Sequence, residues 1–298
     1  MTIARRHTFF ALFCLVLVLI ALEPLRRLLS FSLDWERTDL SYIPLVPFIS
    51  TALIYWNRKR IFRDLRTAPV LAIAASVIGG AIFFAERTNG SRLTENDSLA
   101  LMIAAVLAFF FGGFLFFYGR SAFRAGLFPL LFLGLMIPIP ERILEGFMRL
   151  LQHGSSDVVS VLFALTGTPA RRESDVVFAL PKVTIHVAEA CSGIRSTLMM
   201  LIISLLAAHS CLKSNWRKSA LLIAVIPISL FKNAVRIVTL SLLAIHFDMS
   251  FLTGRLHHDG GVLFMMGGLC LMYPVLALLV RSESTIPAFR SSGTLSLD

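Results

Sequence analysis

Eight separate apolar runs, each near the length that crosses a lipid bilayer, leave this chain of 298 residues few folds to choose from. They cover 8–22, 42–56, 69–85, 98–118, 126–139, 194–209, 220–245 and 262–280. A hydrocarbon core about 30 Å thick takes roughly 20 residues of helix. Within it every peptide group must find its hydrogen bond inside the protein, and a helix achieves this segment by segment. The expected fold is all-α: a polytopic integral membrane protein of about eight transmembrane helices. A composition of 56% hydrophobic and 15% charged residues, with a mean hydropathy of +0.78, excludes an ordinary soluble domain. The net charge of +10 would suggest nucleic acid in a soluble protein. Here the basic residues lie mostly in short connections, where they set orientation and touch anionic lipid. The lipid bilayer is therefore the expected partner and nucleic acid is not.

The first run, preceded by Arg5 and Arg6, resembles a signal peptide, but Glu23-Pro24-Leu25-Arg26-Arg27 follows it in place of a small-residue cleavage site, so an uncleaved span is expected. Alternating the spans from a cytoplasmic N-terminus puts fourteen Lys and Arg residues on the cytoplasmic side, against six in the short outer connections and five in the long outer interval 141–190. That bias follows the positive-inside rule and places Cys191 at the extracytoplasmic face of a multi-pass cytoplasmic (inner) membrane protein. The long interval is expected to hold an amphipathic extracytoplasmic segment, one or two helices over 143–165, and then a short hairpin over 176–187, where Val, Thr and Phe alternate with polar residues. The expected organisation is a single transmembrane domain over 1–281, with a flexible cytoplasmic tail at 282–298 and no internal repeat.

The chemistry gathers at Glu189-Ala-Cys-Ser-Gly-Ile-Arg-Ser196, the one place where reactive side chains abut a long apolar run. Ser192 and Gly193 suit a helix start. A Cys191 thiol there faces the positive end of a helix dipole with Arg195 nearby, and both favour thiolate. The plainer alternative is a cysteine acting as a small packed hydrophobe. Ionisable groups inside spans are expensive and so mark sites. Arg236 lies about sixteen residues, or some 24 Å, up the seventh run, toward the outer face, with Asn233 one turn below on the same side; a snorkelling arginine is its plain reading. The connection Arg255-Leu-His257-His258-Asp259-Gly260-Gly261 reaches the same face. Adjacent histidines point apart and the nearby carboxylates lack ligand spacing, so no metal and no cofactor is expected. A thiolate, an arginine and a histidine from three segments make an acyl-transfer set: Cys191 attacks a carbonyl, a histidine moves the proton, and Arg236 faces the negative charge. Cys14, Cys211 and Cys270 are expected to be packing residues.

These residues resemble the exosortases and archaeosortases, integral-membrane cysteine transpeptidases that process proteins with PEP-CTERM-type C-terminal sorting signals. The resemblance rests on Ala190-Cys-Ser-Gly-Ile-Arg-Ser196, Asn233-Ala-Val-Arg236 and Leu256-His-His-Asp-Gly-Gly-Val-Leu-Phe264, with weaker matches at Tyr42–Pro47 and Phe128–Pro140. It implies catalytic Cys191, Arg236 and His257, with Ser192, Gly193, Arg195, Asn233 and His258 in support; His258 is the alternative to His257. The implied partner is the membrane-anchored C-terminal tail of a secreted substrate protein, and Arg171, Arg172 and Lys182 are basic residues that could meet an acidic motif on it. Two other classes stay open: a transporter or assembly protein for exported polymer, which would tolerate Cys191→Ser, and a thiol oxidoreductase, which would need a second cysteine at this face. Hydrolysis by the same cysteine stays close to transpeptidation, since water and an amine compete for one thioester.

Overall fold

The computed structural model describes residues 2–34, 40–181, 183–187, 193–248, 250 and 261–284. Cys191, Ser192, His257, His258, Lys182 and the tail from 285 lie outside the described residues. The architecture is helical throughout, with one small sheet. In chain order the helices are α1 (Ile3–Ile20), α2 (Leu22–Leu33), α3 (Leu45–Trp56), α4 (Arg58–Ile61), α5 (Pro69–Asn89), α6 (Glu95–Ala125), α7 (Leu127–Phe132), α8 (Glu141–Leu165), α9 (Ile194–Cys211), α10 (Asn215–His246) and α11 (Gly261–Ser284). Between α8 and α9 lie strands β1 (Arg171–Ser174), β2 (Val177–Ala179) and β3 (Thr184–His186), an antiparallel sheet in the order β1-β2-β3.

Among the described residues six helices are long and apolar enough to cross a membrane: α1, α5, α6, α9, α10 and α11. A seventh crossing arises if α7, with the 3-10 turn that follows it, and α8 form one bent span. The eight expected runs therefore resolve unequally. Leu45–Trp56 is a helix of 12 residues, about 18 Å at the usual rise, and Pro44 before it and Asn57 after it bound its length. The run 126–139 is broken: α7 ends at Phe132, a 3-10 turn covers Leu133–Met136, and Pro138 and Pro140 cannot continue a helix. The amphipathic interval forms a single 25-residue helix, α8. Bands of exposed Leu, Ile, Val and Phe along α1, α5 and α11, Leu19, Ile73 and Leu263 among them, are the surface a bilayer would cover.

The chain divides into two compact units, Met1–Gly146 and Phe147–Asp298. In the first, α5 and α6 pack side by side, and α6 also carries α1 and α2. Its core gathers Ile61, Phe114, Tyr118, Ala122 and Leu130, with Phe10 and Phe117 packed against it.

The second unit is built on α9, α10 and α11, which pack pairwise around Met200, Leu221, Val225 and Met272. At one end of this bundle the Arg217 guanidinium meets the Glu283 carboxylate at 3.3 Å, and Glu283 also accepts the backbone N–H groups of Lys213 and Ser214. At the other end α10 outruns its neighbours. Its 32 residues extend about 48 Å. The part beyond Asn233 packs against the second half of α8 and the sheet through Val159, Phe163, Phe178, Val187, Ile237 and Val238. The expected hairpin at 176–187 is present as β2 and β3. The extra strand β1 is tied down by Arg172, which pairs with Asp157 at 2.8 Å and lies over the Phe178 ring.

Candidate active site

Polar side chains converge in the second unit where the three-helix bundle meets the α8–sheet cap. Gly193 sits immediately before α9 in the left-handed conformation, φ 73°, which glycine adopts without the Cβ penalty other residues meet. Its carbonyl accepts three hydrogen bonds: from the backbone N–H of Thr197 at 3.0 Å, from Thr197 Oγ1 at 2.9 Å and from Ser196 Oγ at 2.9 Å. A Cβ at this position would stand 2.9 Å from Asn233 Oδ1 and 3.6 Å from Lys232 Nζ. The glycine of the cysteine motif is thus pressed against the polar pair on α10. Asn233, 1% exposed, also donates from Nδ2 to Ser155 Oγ of α8 at 3.2 Å.

The strand side of the motif is anchored as well. The Val187 carbonyl accepts from Gln152 Nε2 of α8 at 2.5 Å, and its N–H donates to the Val176 carbonyl at 2.8 Å. Residues 188–192, Cys191 among them, lie outside the described residues; of the residues that flank them, Val187 is held by α8 and the sheet, and Gly193 lies against α9 and α10. The level of the site follows from the helices: Asn233 lies eighteen residues into α10, about 27 Å along it, and α9, also 18 residues, has about the same length. Gly193 and Asn233 therefore mark one boundary of a membrane-thick layer.

Arg236 is half-buried one turn beyond Asn233 on α10. Arg195 is exposed on the first turn of α9. The cation buried at the motif is Lys232, 5% exposed, whose Nζ donates to Ser196 Oγ. The motif reading passed over Lys232 and Ser196, yet a lysine within an apolar run, directly before Asn233, was a visible signal. Arg172 is committed to Asp157 and to the carbonyls of Ser174 and Asp175, whereas Arg171 is exposed. Cys14, Cys211 and Cys270 are free thiols.

Helices long and apolar enough to cross a bilayer, with exposed Leu, Ile, Val and Phe along them, define a polytopic membrane protein. The sequence profile of the transmembrane exosortase family matches residues 35–274, some 240 of the 298. The chain belongs to that family. Comparison with curated proteins and with solved structures gives no match. Membership gives the chain a membrane transpeptidase role in general terms, in a family of cysteine transpeptidases.

Proposed function

We propose that this exosortase cleaves the C-terminal sorting tail of an exported protein at the outer face of the cytoplasmic membrane, through an acyl-thioester on Cys191. The supporting observation is the double anchoring of the reactive segment: Val187 on Gln152, and Gly193 against Asn233, one helical turn from Arg236. Anchors on both sides limit the positions open to a nucleophile two residues before Gly193, and such ordering is a large part of what an enzyme contributes to a bimolecular reaction. The Cys191 thiolate attacks the scissile carbonyl. As the C–N bond breaks, His257 gives its proton to the departing amine, and Arg236 faces the charge on the tetrahedral oxygen. An incoming amine or water then attacks the thioester, His257 takes its proton, and the Cys191 thiolate leaves. The tail itself would lie in the bilayer, packed beside the bundle as one more helix.

The test compares host membranes carrying the wild-type chain with membranes carrying Cys191→Ala, by mass spectrometry of protein C-termini. An exported protein that keeps its tail only in the variant supports the reading; identical C-termini in both remove it. Hydroxylamine then separates transfer from hydrolysis, because only a transpeptidase hands the new C-terminus to the added amine in preference to water. For the histidine, loss of processing with His257→Ala and its retention with His258→Ala is expected, and the reverse pattern reassigns the proton carrier.

A further inference from the structure

Ser196 and Lys232 stand outside the cysteine, arginine and histidine set, yet the structure brings them into direct contact: Lys232 Nζ of α10 and Ser196 Oγ of α9 share a hydrogen bond. The lysine is 5% exposed. Its stem is held where α11 approaches closely, since a Cβ on Gly268 would come within 3.2 Å of Lys232 Cδ and 2.8 Å of Met200 Sδ, and Met200 is itself fully buried. Fixed in this way, the amine has little freedom to leave the hydroxyl. The serine is half-buried and also reaches the Gly193 carbonyl at 2.9 Å. Its oxygen thus has two fixed neighbours, a carbonyl that only accepts hydrogen bonds and an amine that accepts once it is uncharged. Lysines shut away from water are the ones that proteins use as bases, and a hydroxyl held against such a base is the arrangement of an activated nucleophile. The backbone N–H groups of the first turn of α9 lie beyond the intrahelical ladder and offer partial positive charge to an oxyanion formed beside them.

We propose that Ser196 and Lys232 form a nucleophile and base pair of their own, which takes the acyl group of a peptide carbonyl at the bilayer boundary as an ester on Ser196. With the amine uncharged, Lys232 Nζ accepts the Oγ proton as Oγ bonds to the carbonyl carbon, and the resulting ammonium gives that proton to the departing amine as the C–N bond breaks. Water or another amine then attacks the ester, its proton passes through Nζ to Oγ, and the hydroxyl is restored. A peptide is the fitting acyl donor because the pair lies at the level marked by Gly193 and Asn233, where a membrane-anchored chain leaves the bilayer. No step uses Cys191, so the test is made without that thiol. The full chain carrying Cys191→Ala, in detergent, is treated with a fluorophosphonate and, separately, with p-nitrophenyl acetate, and mass spectrometry locates and times the adducts. At least one reagent should modify Ser196 of this parent. Lys232→Met, close in size and without the amine, should slow that modification about 100-fold or more. Lys232→Arg should be as slow as Lys232→Met, because a guanidinium keeps its proton although it can still hold the hydroxyl by a hydrogen bond. Elution of each variant as a single species guards against misfolding. No adduct on Ser196 from either reagent overturns the proposal. So does an adduct that forms as fast with Lys232→Met, and so does a Lys232→Arg protein that reacts like the parent, which leaves the lysine a holder of the hydroxyl and no base. None of these results touches the Cys191 thioester, which stands or falls on the C-termini of exported proteins.

Discussion

At the scale of single residues the site depends on a turn that only glycine makes without strain. Gly193 carries φ 73°, and a methyl there would meet Asn233 Oδ1 at 2.9 Å. A left-handed alanine costs roughly 1–2 kcal/mol before any contact is counted, and the contact adds to it. Gly193→Ala is therefore expected to lower the melting temperature in detergent and to slow Cys191 alkylation. Adding Asn233→Ala should recover only part of the stability, because it removes the collision and leaves the backbone strain. A Gly193→Ala protein that melts and reacts like the parent would show that the turn is not held as described. The two adjacent α10 residues at this turn differed in how readable they were. Asn233 was legible as one turn below Arg236 on a common face. Lys232 was not, because its meaning comes from Ser196 and Gly268, residues on two other helices that periodicity along one helix does not bring together.

At the scale of elements, what holds α10 against its neighbours at the far end of the bundle is a borrowed cap. Ser214, the residue before α10, makes no side-chain cap of its own. Glu283 of α11 instead accepts the N–H groups of Lys213 and Ser214, while Arg217, 5% exposed, pairs with it and donates to the Ser282 carbonyl. A carboxylate at a helix N-terminus is favoured by the dipole. Its loss leaves backbone donors and a buried guanidinium without that acceptor. Glu283→Ala should lower thermal stability more than Arg217→Leu does, and the double variant should be no less stable than Glu283→Ala, since it no longer buries the orphaned guanidinium. Alkylation of Cys191 in the folded fraction should be unchanged, because Arg217 lies fifteen residues, about 22 Å, down α10 from Lys232. A double variant whose losses simply add would argue against coupling between the pair. The spans of α5, α6, α9, α10 and α11 were legible because hydropathy alone specifies a lipid-facing helix. The sheet was legible only in part: alternation marks β2 and β3, but Arg171-Arg172-Glu173-Ser174 reads as a loop until Asp157 and the Phe178 ring supply partners for Arg172.

At the scale of the whole molecule, function turns on which side of the membrane the site faces, and helix order constrains the answer. Because α9, α10 and α11 follow one another as antiparallel neighbours, the start of α9, the end of α10 and the start of α11 share one end of the bundle, and the Lys213 connection lies at the other. With only the six long helices crossing, three of them precede α9; with Leu45–Trp56 and the bent α7–α8 pair crossing as well, five do. Either number is odd, so a cytoplasmic N-terminus puts Gly193 outside. The charges agree, since Lys213, Arg217 and Lys218 crowd the opposite end, as the positive-inside rule requires of a cytoplasmic connection. In a chain whose native cysteines are all replaced, an Asp248→Cys substitution should react with a membrane-impermeant maleimide in intact cells. A Lys213→Cys substitution should react only after permeabilisation. The opposite pattern would put the site in the cytoplasm, where the tail of a protein already exported could not reach it. An even count of crossings before α9, from the α7–α8 pair crossing without Leu45–Trp56 or the reverse, would produce that pattern, so the same two cysteines also decide whether the short Leu45–Trp56 helix and the bent pair act together.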